Sequence, residues 1–226
     1  MAHSINIAII GNIGAGKSTL IDQIVSNQSR SVIIHTCQSL GISNQFFVFP
    51  EEFVPKKLEK FYKNPQKHAY DLQLEFLKSR IKRSQGIHKI KGVILEDRTL
   101  FEDFHIFGQA QFLLGRMNAK QFKKYQQFYL GSLPLVHHPD LVVYLQASPH
   151  DLLARIKKRN RASEANIGIE YLTLLNRLYE NFIDSFCPFP ILKIETSHQN
   201  DLLSYTRNIE KNICQKLKSS LISKKR

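Results

Sequence analysis

Residues 5–20 run Ile5-Asn6-Ile7-Ala8-Ile9-Ile10-Gly11-Asn12-Ile13-Gly14-Ala15-Gly16-Lys17-Ser18-Thr19-Leu20, and this stretch constrains the fold more tightly than any other. An apolar run of β-forming residues enters a glycine-rich turn. Gly11 and Gly16 stand five apart, Lys17-Ser18 follows, and a helical pattern begins. This is a P-loop in its full strand–turn–helix setting. Glycines at 11, 14 and 16 permit left-handed backbone angles and close approach, so successive N–H groups point into one concavity. The helix N-terminus adds partial positive charge, Lys17 adds a point charge, and Ser18 offers a hydroxyl to Mg²⁺. The sequence therefore predicts a grip for the phosphates of a nucleoside triphosphate. Its contacts are expected from Gly11, Asn12, Ile13, Gly14, Ala15, Gly16, Lys17, Ser18 and Thr19.

Four more short apolar runs, Gln45–Phe49, Gly92–Leu95, Leu141–Leu145 and Ile191–Ile194, suit strands buried on both faces of a parallel sheet. Helical patterns lie between them: Ser18–Ser26, Asn64-Pro65 to about Ser84, Thr99–Arg116, Ala119–Gly131, Pro149–Arg159, Gly168–Ser185 and Asp201–Ser220. Thr99-x-x-Glu102 and Ser148-x-x-Asp151 resemble capping boxes. The alternation predicts an α/β chain: a three-layer P-loop kinase-type fold with a five-stranded parallel sheet, helices on both faces and right-handed crossovers. Ser31–Ser43 fits either a strand or a helix end. The 226 residues show no repeat, linker or boundary and are expected to form one domain, 1–226.

Composition narrows the partners. No apolar run reaches membrane-spanning length, Met1-Ala2-His3-Ser4 passes straight into a strand, and Cys37, Cys187 and Cys214 show neither metal spacing nor pairing logic. A cytoplasmic, reducing setting is expected. The net charge of +13 is concentrated in two places: five basic residues between Arg155 and Arg161, and six in the tail Lys211–Arg226. The remainder is close to neutral, and no basic stripe interleaved with aromatics suggests nucleic acid.

Ligands of such sheets bind outside the carboxyl ends of the strands, so the residues just past each strand carry the functional signal. After the second come Pro50-Glu51-Glu52, and after the third Glu96-Asp97-Arg98. A carboxylate at Glu51 or Glu52 could accept a proton from an acceptor hydroxyl during phosphoryl transfer. Asp97 is placed to join Ser18 in holding Mg²⁺, with Glu96 as the alternative, and Arg98 to bridge the base and the moving phosphate. Glu102 looks like the reciprocal half of a helix cap and is left out of the site. Gln73, Phe76, Leu77 and Arg80 share one helix face; Phe76 could stack on a flat heterocycle while Gln73 pairs with its edge. Arg155, Arg159 and Arg161 form an arginine-rich lid, about 155–167, over the triphosphate.

With these motifs the chain resembles the deoxyribonucleoside kinase family, most nearly its small bacterial members acting on deoxyadenosine or deoxyguanosine. The likeness runs from about Asn6 to Phe186. It rests on the P-loop, the acid after strand two, Asp97-Arg98-Thr99 with Asp103, Leu72-Gln73 with Arg80, the lid Arg155–Arg161, and Glu164 ahead of Glu170-Tyr171-Leu172. The resemblance implies Mg²⁺- and ATP-dependent phosphorylation of a deoxyribonucleoside 5′-hydroxyl in nucleotide salvage. In it Glu51 is the base, Lys17 and Arg98 stabilise the reacting phosphate, and Gln73, Arg80 and Asp103 choose the nucleobase. Tyr62 and Glu164 hold the sugar 3′-hydroxyl. The family's acid usually precedes Pro-Val, whereas here Glu52-Phe53 stands there, which keeps Glu52 as the alternative base. Arg80 with Asp103 implies a purine first and deoxycytidine second. The rival activities are a nucleoside monophosphate kinase and a nucleic-acid-stimulated P-loop ATPase. The family also implies a homodimer; Phe101, Phe104, Phe107, Phe112, Leu113 and Leu114 suit either its interface or the core.

Overall fold

The structure, a computed structural model, describes residues 4–43, 45–51, 55–87, 89–196 and 202–224. Five strands form: β1 (Ile5–Gly11), β2 (Phe46–Phe49), β3 (Val93–Asp97), β4 (Leu141–Gln146) and β5 (Ile191–Glu195). All are parallel, in the order β2-β3-β1-β4-β5. The P-loop strand is thus central, with β2 and β3 laid down on one side of it and β4 and β5 on the other, the place where such sheets open a crevice. The three inner strands are buried almost throughout. The outer two are not: β2 is half-buried along its length and β5 exposes Lys193 and Glu195. The expectation of burial on both faces fails there because an edge strand has a neighbour on one side only.

Strand alternation sends side chains into two cores. Ile7, Ile9, Leu95 and Val143 pack against α1 (Lys17–Val25), α2 (Asn27–Ser39), α8 (Pro149–Arg159) and α10 (Leu202–Lys224). Ala8, Ile10, Val142 and Tyr144 face α4 (Pro65–Ile87), α7 (Ala119–Ser132) and α9 (Ile169–Asn181). The three-layer α/β architecture is present. Residues 27–39 resolve the ambiguous segment as helix, with Ile33 and Cys37 fully buried. A helix not predicted, α3 (Pro55–Lys63), is anchored by Phe61 in a small cluster with Ala69, Leu72 and Met117. Asp201, the expected start of the last helix, lies outside the described residues. Among the described residues no helix is long and apolar enough to cross a membrane.

The segment Thr99–Arg116 is not one α-helix. It comprises α5 (Leu100–Glu102), a π-helical turn over Asp103–Gly108, and α6 (Gln109–Leu113). Tyr125 explains the widening: its hydroxyl donates to the Asp103 carbonyl at 2.9 Å, and its ring lies where a Cβ on Gly108 would come within 2.4 Å. Such turns occur often at functional positions. Phe101 and Phe104 belong to the core, whereas Leu113 and Leu114 are exposed.

Candidate active site

Sheet register assembles the site. Phe49 and Ala8 both pair with Glu96, so two residues further on Glu51 and Arg98 emerge level with Ile10, next to Gly11. Gly11 (φ 149°) cannot be replaced without cost, because a Cβ would stand 2.6 Å from the Leu145 carbonyl oxygen. Lys17 is buried, and its Nζ donates to the carbonyls of Gly11 (2.9 Å) and Asn12 (3.2 Å). Burial lowers the Lys17 pKa, and the Arg98 charge adds to the effect against the pull of Asp97 and Glu51.

The side chain of Asn12 turns away from the cleft. Its amide donates to the Leu172 carbonyl and Asn176, and its oxygen accepts from the Ile13 N–H, tying the loop to α9. Ile13, Gly14, Gly16, Lys17, Ser18 and Thr19 line the main cleft; Ala15, Gly16 and Thr19 also line a second cavity with Arg155, Thr196 and Tyr205.

Arg98 has φ 65°, a left-handed backbone that a non-glycine residue rarely adopts. Its Nε donates to Glu51 Oε1 at 2.5 Å, its Nη1 to the Tyr179 hydroxyl at 3.0 Å, and Nη1 also lies 3.4 Å from Glu102. Tyr179 in turn contacts Glu102 (2.6 Å) and the Gly11 carbonyl (2.9 Å), linking the arginine to the loop. The guanidinium also stands 4.6 Å from the centre of the Phe107 ring, which packs against the core and lines the cleft. Glu102 is fully buried. It closes the helix cap as expected, yet it also holds Arg98.

Burial pushes the Glu51 carboxyl up, but Arg98, Lys17 and Arg80 outweigh burial and bring it down to about 2. The group is therefore ionised, and free to accept a proton, across the whole neutral range. Glu52 and Phe53 lie outside the described residues. Replacing Arg98 with Met removes the nearest cation, so the Glu51 pKa rises toward its ordinary value. Activity that needs the carboxylate is lost as pH falls through that pKa, so the acid limb of residual kcat/KM must move upward; a limb unchanged from wild type counts against the pairing.

Asp97 and Glu96 diverge because adjacent strand residues face opposite sides. Asp97 Oδ2 accepts from the Ser18 hydroxyl at 3.2 Å, while its Oδ1 is buried with no hydrogen-bond partner. This all-oxygen pair with a spare acceptor suits Mg²⁺, which keeps water and phosphate oxygens for its other positions. Among the described residues no group of three His, Cys, Asp or Glu could hold a metal alone. Glu96 turns the other way, to Arg83 (2.9 Å) and Asn6 (3.1 Å), and is removed as the alternative metal acid.

The cleft encloses about 1050 Å³, solvent mouth included. Arg80 Nε and Asp103 Oδ2 are 2.6 Å apart at its floor, 4% and 3% exposed. Burial works against the Arg80 charge, but Asp103 and Glu51 more than compensate and hold it ionised. Gln73 Oε1 and Arg80 Nη1 are buried without hydrogen-bond partners, an arrangement that a planar ring with edge donors and acceptors would satisfy. Phe76, Tyr62 and Tyr171 form walls.

The arginine-rich segment is divided. Arg155 donates to the Thr196 hydroxyl (3.0 Å) and carbonyl, at the second cavity. Arg159 binds Glu164 through both carboxylate oxygens (2.7 and 2.6 Å), and Arg161 stands 3.8 Å from it, at the main cleft. One helix face therefore serves two cavities, because α8 ends at Arg159 with Asn160 in a left-handed cap.

The chain is similar to known proteins over most of its length. A family model described as deoxynucleoside kinase matches residues 7–223. The deoxyadenosine/deoxycytidine kinase of Bacillus subtilis is 29% identical over 206 residues, spanning 90% of this chain and 88% of that protein. The deoxyadenosine kinase of Dictyostelium discoideum is 31% identical over 195 residues, spanning 85% and 72%. The solved structure of a deoxyadenosine kinase from M. mycoides, with the products dCMP and dCDP bound, superposes with a TM-score of 0.73 at 28% identity. It covers 95% of this chain and 100% of that one.

Proposed function

Because this chain belongs to the deoxynucleoside kinase family, we propose that it transfers the γ-phosphate of ATP to the 5′-hydroxyl of a purine deoxyribonucleoside. It is a kinase that phosphorylates nucleosides; the choice of base and the residue roles are our reading. The observation that carries it is the Glu51–Arg98 pair at 2.5 Å, set between the P-loop lysine and a cleft floored by Gln73, Arg80 and Asp103.

The nucleobase sits against Phe76 with Gln73, Arg80 and Asp103 on its edge, and Tyr62 and Glu164 bind the 3′-hydroxyl. The 5′-hydroxyl then faces Glu51, which accepts its proton late in transfer. Lys17 and the loop amides from Gly11 to Thr19 hold the β- and γ-phosphates. Arg98, with Arg159 and Arg161, balances charge on the moving phosphoryl group, and Arg155 at the second cavity meets the nucleotide donor. Mg²⁺, held through Ser18 and Asp97, would neutralise phosphate charge when bound. Lid (155–167), body and tail act as one domain, in the cytoplasm. Exposed Leu113, Leu114, Phe128, Leu130 and Phe186 support a homodimer.

The experiment is transfer of radiolabelled phosphate from ATP to deoxyadenosine, deoxyguanosine, deoxycytidine, thymidine and thymidine monophosphate. The highest kcat/KM is expected for a purine. Deoxycytidine as best acceptor would correct the base alone; transfer to the monophosphate but no nucleoside would overturn the reading. In the same assay Asp103→Ala should lower kcat/KM for the preferred base by roughly 100-fold and shrink its advantage over thymidine, because the pocket's polar groups lose their partner.

A further inference from the structure

We infer that Arg83 is a positioning residue for phosphoryl transfer: it ties the ends of β2 and β3 together and so holds Glu51 against Arg98. Arg83 lies on α4 three residues beyond Arg80, on the same side of the helix. Its side chain is 6% exposed and reaches no ligand-facing surface of the cleft. Nη1 donates to the Pro50 carbonyl at 3.1 Å, the peptide that delivers Glu51. Nη2 reaches the carbonyls of Asp97 (3.3 Å) and Arg98 (2.5 Å) and the Glu96 carboxylate (2.9 Å). Glu96 is itself fixed to β1 by the Asn6 amide.

One guanidinium thus grips the peptide before the base and the peptide of its arginine partner. This matters because Arg98 holds φ 65°. A non-glycine residue keeps such a backbone only where its surroundings over-determine it. Here the Arg98 N–H is held by the Ile9 carbonyl at 3.2 Å, and its own carbonyl by Arg83. Without Arg83 one end of that peptide is released, and the 2.5 Å contact between Arg98 and Glu51 loses its support.

The inference rests on Glu51 acting as base, so Glu51→Gln is run beside Arg83→Gln, Arg83→Lys and Glu96→Gln in the full-length chain. Rates are taken per nucleoside-binding site, with nucleoside affinity measured separately. Arg83→Gln should lower kcat by about 30-fold while nucleoside affinity stays within about twofold, since sub-ångström misplacement of reacting groups acts on the chemical step. The acid limb of its pH profile should move upward as the Glu51–Arg98 pair loosens. Arg83→Lys, which keeps a donor for one or two carbonyls, should recover part of the loss. Should Arg83→Gln fail to fold, Glu96→Gln decides, because it keeps every carbonyl contact and removes the anchor alone. Its kcat should fall by about fivefold with the same upward shift. If Arg83 only stabilises the fold, Tm drops while kcat per site and the pH limb stay at wild type, and the inference is overturned. Full activity in Glu51→Gln would instead remove the base assignment on which it stands.

Discussion

Glu51→Gln is expected to reduce kcat by two orders of magnitude or more, with nucleoside affinity changed by no more than about threefold. The carboxylate is held near pKa 2 because three cations outweigh its burial, so the wild-type group is unprotonated whenever substrate arrives. Glutamine has similar size and keeps an oxygen toward Arg98, yet cannot take a proton. The loss should therefore appear in the chemical step, as a fall in kcat and kcat/KM together. Glu52→Gln should stay near wild type. Reversal of the two results would transfer the base to Glu52, and equal small effects would show that neither acts.

Lys17→Met is expected to reduce kcat by roughly 100- to 1,000-fold, the usual consequence of deleting one preorganised charge at a phosphoryl group. The side chain is buried inside its own loop, with Nζ on two carbonyl oxygens. Methionine keeps the stem packed but leaves those oxygens without their donor. Binding of ATP should weaken as well, whereas the nucleoside, for which we propose contacts with Glu51, Gln73 and Arg80, should bind almost unchanged. Titration calorimetry with each ligand separates the two effects. A variant that binds ATP normally and turns over at the wild-type rate would mean that Lys17 serves only to brace the loop.

The parts of this architecture that sequence made legible are those governed by local rules. The P-loop needs contiguous residues, and short apolar runs between helical patterns implied a parallel sheet. The strand-end rule then pointed to Glu51, Asp97 and Arg98, and the register brings their positions together. The parts that stayed hidden depend on distant partners. Tyr179 touches both Arg98 and Gly11 yet lies 81 positions from the first and 168 from the second. Glu102 read as a cap alone, because its contact with Arg98 depends on the left-handed turn ahead of the helix. Helix α3 is short, and although Leu58, Phe61 and Tyr62 stand at i, i+3 and i+4, that pattern spans a single turn amid lysines and does not stand out. Arg155 and Arg159 were placed on one face, but the cavity that each meets is decided by where α8 ends and where Thr196 lies.

The wide turn over Asp103–Gly108 has an implication for how this chain could diverge. It amounts to one additional residue in an otherwise α-helical run, and Phe107 follows Asp103 within it. Deleting one residue would restore regular winding while the helix beyond keeps its direction, so the change would fall within the turn and shift the Phe107 ring relative to the guanidinium it faces. The wall that Asp103 and Phe107 give the cleft can thus be reshaped by chain length, with no exchange of one side chain for another.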